Sequence, residues 1–230
     1  MNLKITLLRL LGKKRIALAS YPRSGNTWLR FMIEQATGQP SGSVYQDRIL
    51  RRGAEGVVIK THKLDSDQYT AAIHLLRNPF DAVESRFHWK AEINPEESLA
   101  WGEHILKASE QWRDHTIHWL NAACPVYRIR YEDLHQDTAG QLRALLRWLK
   151  YDLPDARIAE VVEAARIENL RSIDAEIGQK FFRRGTVGDG ISSFSEEQVR
   201  FVLDLLEDVM VECGYAELVE TYRQNVSTLA

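Results

Sequence analysis

Apolar residues in this chain fall into short unbroken runs that alternate with longer stretches where they recur every three or four positions. Residues 15–20 (Arg-Ile-Ala-Leu-Ala-Ser) make the first run, stopped by Tyr21-Pro22. From 27 to 36 the spacing turns helical, with Trp28, Phe31 and Met32 on one side, so the pattern predicts strand, tight turn, helix. Runs at 56–60 and 72–76 predict a second and a third strand, and the chain then enters a helix near Pro79, a residue suited to a first helical turn. Residues 96–121 place Leu99, Ile105, Leu106, Trp112, Ile117 and Leu120 among many polar groups, the signature of a long amphipathic helix. A fourth strand is expected at 126–130 and further helices at 138–150, 154–165 and 195–213. Strands alternating with helices predict an α/β fold, a parallel sheet covered on both faces. No linker-like stretch divides the 230 residues, so one domain over 1–230 is expected.

In such sheets ligands bind at the carboxyl ends of the strands, and three polar clusters fall there. Tyr21-Pro22-Arg23-Ser24-Gly25-Asn26-Thr27-Trp28 follows the first strand, Lys60-Thr61-His62 the second, and Arg77-Asn78-Pro79 through Ser85 the third. The first cluster offers a glycine for the turn, two hydroxyls, a guanidinium and backbone N–H groups at a helix N-terminus, which together make an anion cradle. A polar helix cap formed by Ser24 or Asn26 is the plainer reading of that segment alone. The segment lacks Gly-x-x-x-x-Gly-Lys-[Ser/Thr], so it is not an ordinary ATP or GTP loop.

Composition narrows the ligand. A 44% hydrophobic and 27% charged chain has the make-up of a folded protein with a core, not of a disordered one. Its net charge of -2 gives no overall basic field, so nucleic acid is not an expected partner and any anion site must be built locally. Cys124 and Cys213 fit no metal-ligand spacing and suit free thiols in a reducing compartment, which with the absence of a signal-like start points to the cytoplasm. Lys4 and Arg9 interrupt the leucine-rich beginning, no run is long enough to cross a bilayer, and a strand is expected almost at once, with a peripheral membrane contact as the alternative.

The motifs resemble those of the sulfotransferases that use 3′-phosphoadenosine 5′-phosphosulfate (PAPS), whose first loop usually reads Tyr-Pro-Lys-Ser-Gly-Thr-Thr-Trp. The second family signature, Arg-Asn-Pro-x-Asp with a serine eight residues after the arginine, is matched by Arg77-Asn78-Pro79-Phe80-Asp81 and Ser85. The third is Arg130-Tyr131-Glu132-Asp133-Leu134. The fourth is Phe182-Arg183-Arg184-Gly185-Thr186-Val187-Gly188-Asp189, similar to the family's Arg-Lys-Gly-x-x-Gly-Asp-Trp. The four motifs come in the family's order and cover about residues 15 to 215.

This resemblance implies a P-loop-like three-layer α/β/α sandwich, a PAPS donor leaving 3′,5′-adenosine bisphosphate (PAP), and no metal. It implies that Arg23, Ser24, Gly25, Asn26 and Thr27 grip the 5′-phosphosulfate, and that Trp28 and Tyr131 flank adenine. The 3′-phosphate falls to Arg77, Ser85, Arg183, Arg184 and Gly185, with Ser172 counted among the nucleotide-binding residues. His62 is the expected general base, with Lys60 and Arg23 neutralising the leaving phosphate. Arg23 stands where the family usually has lysine, and a guanidinium does not readily donate a proton. His74, His104, His115, His118 and His135 are expected to be structural. His88, three residues after Ser85, is left open between a structural role and the acceptor pocket.

Two further departures stand out. Gly190 replaces a common tryptophan and is expected to remove a packing anchor. Only nine residues separate Ile173 from Arg183, a segment that covers the acceptor in longer relatives. A short cover suits a large hydroxyl or amine acceptor such as a glycan, glycopeptide or lipid-linked alcohol, or else a compact bacterial-type enzyme with a small acceptor. The helix at 195–213 packs internally or against a second copy. The competing classes are a P-loop phosphotransferase and a non-catalytic PAPS- or PAP-binding protein.

Overall fold

The computed structural model describes residues 3–11, 14–45, 53–93, 95–172 and 186–227. Five strands form one parallel sheet: β1 (Ile16–Ser20), β2 (Gly42–Ser43), β3 (Ile59–Thr61), β4 (Ala71–Leu76) and β5 (Val126–Arg130), in the order β2-β3-β1-β4-β5. From β1 the chain moves to one side of the sheet, then returns to place β4 on the other. The crevice beside β1 and β4 is therefore the switch point where such sheets receive ligands.

Alternation along β1 builds the layers. Ile16 and Leu18 join a core formed with α2 (Asn26–Thr37), α6 (Thr138–Trp148) and α7 (Asp155–Ala164), through Leu29, Met32, Ile33, Leu145, Ile158 and Val161. Ala17 and Ala19 face the opposite way, where their small side chains leave room for the buried Trp119 of α4 (Trp101–Leu120). The rest of that face holds α3 (Pro79–Ile93), α9 (Glu196–Glu212) and α10 (Ala216–Ser227), packed through Phe80, Trp112, Val202, Leu206, Met210 and Tyr222. The expected three-layer sandwich is thus what forms. Ser195 starts α9 with a reciprocal capping box to Gln198.

The differences from the sequence expectation have local causes. The run at 56–60 pairs only from Ile59, because Gly56 passes so close to residues 40–42 that a Cβ would lie 2.4 Å from Pro40 O. There Val57 N donates to Pro40 O at 3.0 Å and Gly42 N to Val58 O at 2.7 Å, making the β2 edge that no apolar pattern announces. The helix expected from 96 starts at Trp101, after a 3-10 turn at Pro95–Glu97. The leucine-rich beginning is a helix, α1 (Leu3–Leu10), and α5 (Tyr131–Gln136), α8 (Ile167–Ser172) and α10 add helices that the pattern did not single out.

Candidate functional site

Where β1 ends, Ser24 N donates to Tyr21 O at 3.3 Å and the loop turns sharply. Arg23 (φ 70°) and Gly25 (φ 91°) are both left-handed, a backbone found where short loops curve around anions. Gly25 is required on a second count, since a Cβ there would sit 2.6 Å from the Tyr131 ring. No side chain caps α2, so its first N–H groups are left for another acceptor. The Ser24 hydroxyl is fully buried with no hydrogen-bond partner, which suits it to an anionic ligand. Asn26 turns inward, donating Nδ2 to Leu18 O at 3.0 Å and to Ser20 Oγ at 3.1 Å, so its backbone N–H is what it leaves at the helix N-terminus. Thr27 is buried in the first turn beside it. Trp28 donates Nε1 to Ala165 O at 3.0 Å and stands edge-on to Tyr131, with ring centres 5.7 Å apart.

The first and third clusters form one structure. Arg23 Nε donates to Ser85 Oγ at 3.2 Å, and Arg77 Nη1 donates to Arg23 O at 2.9 Å. The Arg77 guanidinium lies 4.5 Å from the centre of the Tyr131 ring, and its buried Nε has no hydrogen-bond partner. Trp112 Nε1 holds the Arg77 carbonyl at 3.0 Å. Two arginines, a serine and an uncapped helix N-terminus thus surround the crevice between β1 and β4.

Arg77 Nη2 also donates to Thr186 O at 3.1 Å, tying in the fourth motif. Asp81 accepts from Gly188 N at 2.8 Å and from Gly190 N at 2.9 Å. A Cβ on Gly190 would lie 2.6 Å from Asp81 Cα, so glycine permits the close approach that makes these bonds. Gly190 therefore does not leave the segment unanchored; Asp81 anchors it. Arg183, Arg184 and Gly185 lie outside the described residues, as do the side chain of Ser172 and all of residues 173–182. The described end of the segment begins at Thr186, next to Gly185 in sequence and bonded to Arg77.

At the end of β3, His62 Nδ1 lies 2.6 Å from Ser20 O, and its backbone N–H donates to Tyr45 OH at 3.1 Å. A backbone carbonyl can only accept, so Nδ1 carries the proton and the neutral ring keeps its lone pair on Nε2. The Tyr45 ring lies 5.4 Å from His62, while Lys60 Nζ and Lys63 Nζ stand 5.7 Å and 6.0 Å from its centre. His62 and Lys60 thus reach the edge of the sheet that carries the arginine cluster, since β3 pairs directly with β1.

The remaining histidines divide by burial. His74 on β4 and His115 on α4 are buried with ring centres 5.7 Å apart. Burial drives His74 down to about 3, with the Arg128 and His118 charges adding to it, and holds His115 well below its ordinary value. His104 Nε2 donates to Val83 O at 3.1 Å, and its pKa is lowered to about 4, mainly by burial. His118 Nε2 accepts from Ser66 N, and His135 packs against Trp28 and Tyr131. His88 Nε2 meets Glu84 of its own helix at 3.1 Å.

These depressed values make stability pH-dependent. Below about pH 6.5 His74 binds a proton in the unfolded chain but not in the folded one until about pH 3. Stability is present above pH 6.5 and is lost as pH falls, at up to ~1.4 kcal/mol per pH unit, or about 2 kcal/mol between pH 6.5 and 5. Urea unfolding across this range should show the loss, and His74→Asn should lower its slope by about one proton's share while His104 and His115 keep the remainder. An unchanged slope in the variant would contradict the assignment.

Sequence reasoning did not find Tyr45, Ser20 or the role of Asp81. Tyr45 follows a two-residue strand with no apolar pattern, Ser20 acts through its carbonyl, and Asp81 reaches residues 107 and 109 positions away, so no spacing along the chain signals any of them.

Glu132 and Arg130 hold the third motif in place. Glu132 accepts from Asn78 N at 2.8 Å and Tyr215 OH at 2.9 Å, and burial raises its carboxyl above the ordinary range. Arg130 pairs with Asp133 at 2.7 Å and with the carbonyl of Gly214.

Known proteins resemble the chain in sequence and fold. A WSCD family member of Aedes aegypti is 31% identical over an alignment of 171 positions that covers 64% of this chain and 54% of that protein. Sulfotransferase 1A1 of Bos taurus is 22% identical over 238 residues, covering 80% of this chain and 79% of its own length. The chain spans about half the length of the WSCD relatives it matches. Among solved structures, mouse sulfotransferase SULT7A1, complexed with PAP, superimposes with a TM-score of 0.72 at 24% identity, covering 92% of this chain and 89% of that one. The sulfotransferase domain family matches residues 58–214, a span running from β3 through α9 and including His62, Arg77, Ser85 and Tyr131, and the chain belongs to that family.

Proposed function

We propose that the chain works as one sulfotransferase domain that moves the sulfuryl group of PAPS to a hydroxyl or amine acceptor, with His62 as general base. The observation that carries this reading is the His62 Nδ1 contact with Ser20 O at 2.6 Å, one strand away from the paired Arg23–Ser85–Arg77 cluster. The acceptor oxygen or nitrogen attacks sulfur and gives its proton to His62 Nε2. The bond from sulfur to the bridging oxygen breaks, and the electron pair leaves with PAP. Lys60 and Arg23 lower the cost of the charge building on that phosphate, and Arg23 does so by its fixed positive charge rather than by giving up a proton.

Ser24, with its unpartnered buried hydroxyl, and the N–H groups at the start of α2 suit the 5′-phosphate, with Gly25, Asn26 and Thr27 forming the turn. Arg77 and Ser85, with Arg183, Arg184 and Gly185, suit the 3′-phosphate and would discriminate against ATP; Trp28, Tyr131 and Ser172 complete the nucleotide set. The PAP in the mouse sulfotransferase complex supports this donor. Fixed cations supply the neutralisation, so the scheme calls for no metal. The short cover suits a large acceptor, such as a glycan, glycopeptide or lipid-linked alcohol. Buried Cys124 and Cys213, neither of them in a disulfide, suit a reducing cytoplasm.

Labelled PAPS offered with a broad acceptor panel and with cell extract tests the reading. Transfer of label to a hydroxyl or amine compound is the expected result, and transfer confined to small phenols would remove the large-acceptor part. PAP binding without label transfer to any acceptor would favour a binding protein instead.

A further inference from the structure

Four leucines among the first eleven residues stand in solvent: Leu3 is 87% exposed, Leu7 56%, Leu10 80% and Leu11 60%. Ile5, on the same helix, is only 5% exposed, so α1 is held to the body of the protein by one side and shows its leucines on another. Leu3, Leu7 and Leu10 follow a four-then-three spacing that sets them in one stripe. A contiguous apolar patch of this kind marks an interaction surface.

Charge decides what the surface fits. Lys4, Arg9, Lys13 and Lys14 accompany these leucines in sequence, and no acidic residue precedes Glu34, although the whole chain has a net charge of -2; Arg15, by contrast, is turned inward to Glu55 and Gln68 O. A second copy would bring two such cationic segments together, whereas a bilayer with anionic headgroups neutralises them. At eight residues α1 is about 12 Å long, too short to span a bilayer. Among the described residues no helix is long and apolar enough to cross a membrane.

We propose that α1 is an interfacial helix that seats its leucine face on an anionic lipid surface, with the neighbouring lysines and Arg9 meeting the headgroups. It enters the sheet at the amino end of β1, whereas the transfer site lies at the carboxyl ends of the strands, so docking and transfer use separate residues.

Flotation of the full chain with phosphatidylcholine vesicles, with and without phosphatidylserine, tests this. Association is expected only with the phosphatidylserine vesicles and should weaken at high salt. Replacing both Leu7 and Leu10 with serine should weaken it by about tenfold or more, through lost apolar burial. Leu64→Ser, at a leucine 55% exposed but outside α1, should leave it unchanged. Unfolding by circular dichroism should be the same for all variants, because these leucines face solvent. No association with anionic vesicles, or equal association of the Leu7/Leu10 variant, would overturn the proposal. So would self-association in sedimentation that the same substitutions abolish, since that would assign the face to a second copy.

Discussion

Replacing His62 with alanine should lower sulfuryl transfer by about 100-fold or more, the range for loss of a general base, and should leave PAP binding nearly unchanged. The separation follows from the geometry. His62 is held by Ser20 O and Tyr45 OH, and none of its hydrogen bonds described above involves Arg23, Arg77 or Ser85, which form the proposed nucleotide contacts. Single-turnover transfer measured beside PAP titration distinguishes the cases. Unchanged transfer would remove His62 from the mechanism, and a parallel loss of PAP affinity would make it a structural support of the loop.

Gly25→Ala should be nearly as damaging, but through binding. The left-handed backbone at this position costs about 1–2 kcal/mol for any residue with a Cβ. That Cβ would also meet the Tyr131 ring at 2.6 Å, and the ring cannot swing away easily because Arg77 lies over it and Trp28 against its edge. The loop relaxes to another shape, and binding has to restore it, so PAP affinity should fall by about tenfold or more. Gly38 is a matched control: its φ is 66°, yet a Cβ there meets nothing within 4 Å. Gly38→Ala should cost some stability and leave PAP affinity alone. Equal affinity in the wild type and Gly25→Ala would contradict the account of the loop.

Much of this architecture is written in local pattern. β1, β4 and β5 are apolar runs that end at turn-forming residues, and α2 and α9 carry helical spacing with clear starts, so the alternation alone predicts a parallel sheet and the edge where ligands sit. β2 is invisible because Gly42 and Ser43 have no pattern of their own; they pair because Gly56 lets the chain pass close beneath them. The exposed helix α1 escapes for a related reason, since its leucines face solvent and the run is broken by Lys4 and Arg9, so it carries no core-facing pattern.

The candidate site divides the same way. Arg23, His62, Arg77 and Ser85 follow strand ends and are legible from the motifs. The groups that orient them act across the fold: Ser20 through a carbonyl, Tyr45 through a hydroxyl and Asp81 through two distant amides. Gly190 shows what a motif comparison misses. As a missing tryptophan it reads as a lost anchor, but in the folded chain its lack of a side chain is what lets Asp81 hold the segment.

The central claim is that this site recognises a 3′-phosphorylated adenine nucleotide, and thermal unfolding with added nucleotides tests it most directly. PAP at one hundred times its dissociation constant adds about 2.7 kcal/mol, a rise of roughly 5–10 °C for a chain of this size. The account predicts that rise with PAP and little change with ATP, ADP or GTP; a rise with ATP and none with PAP would contradict it.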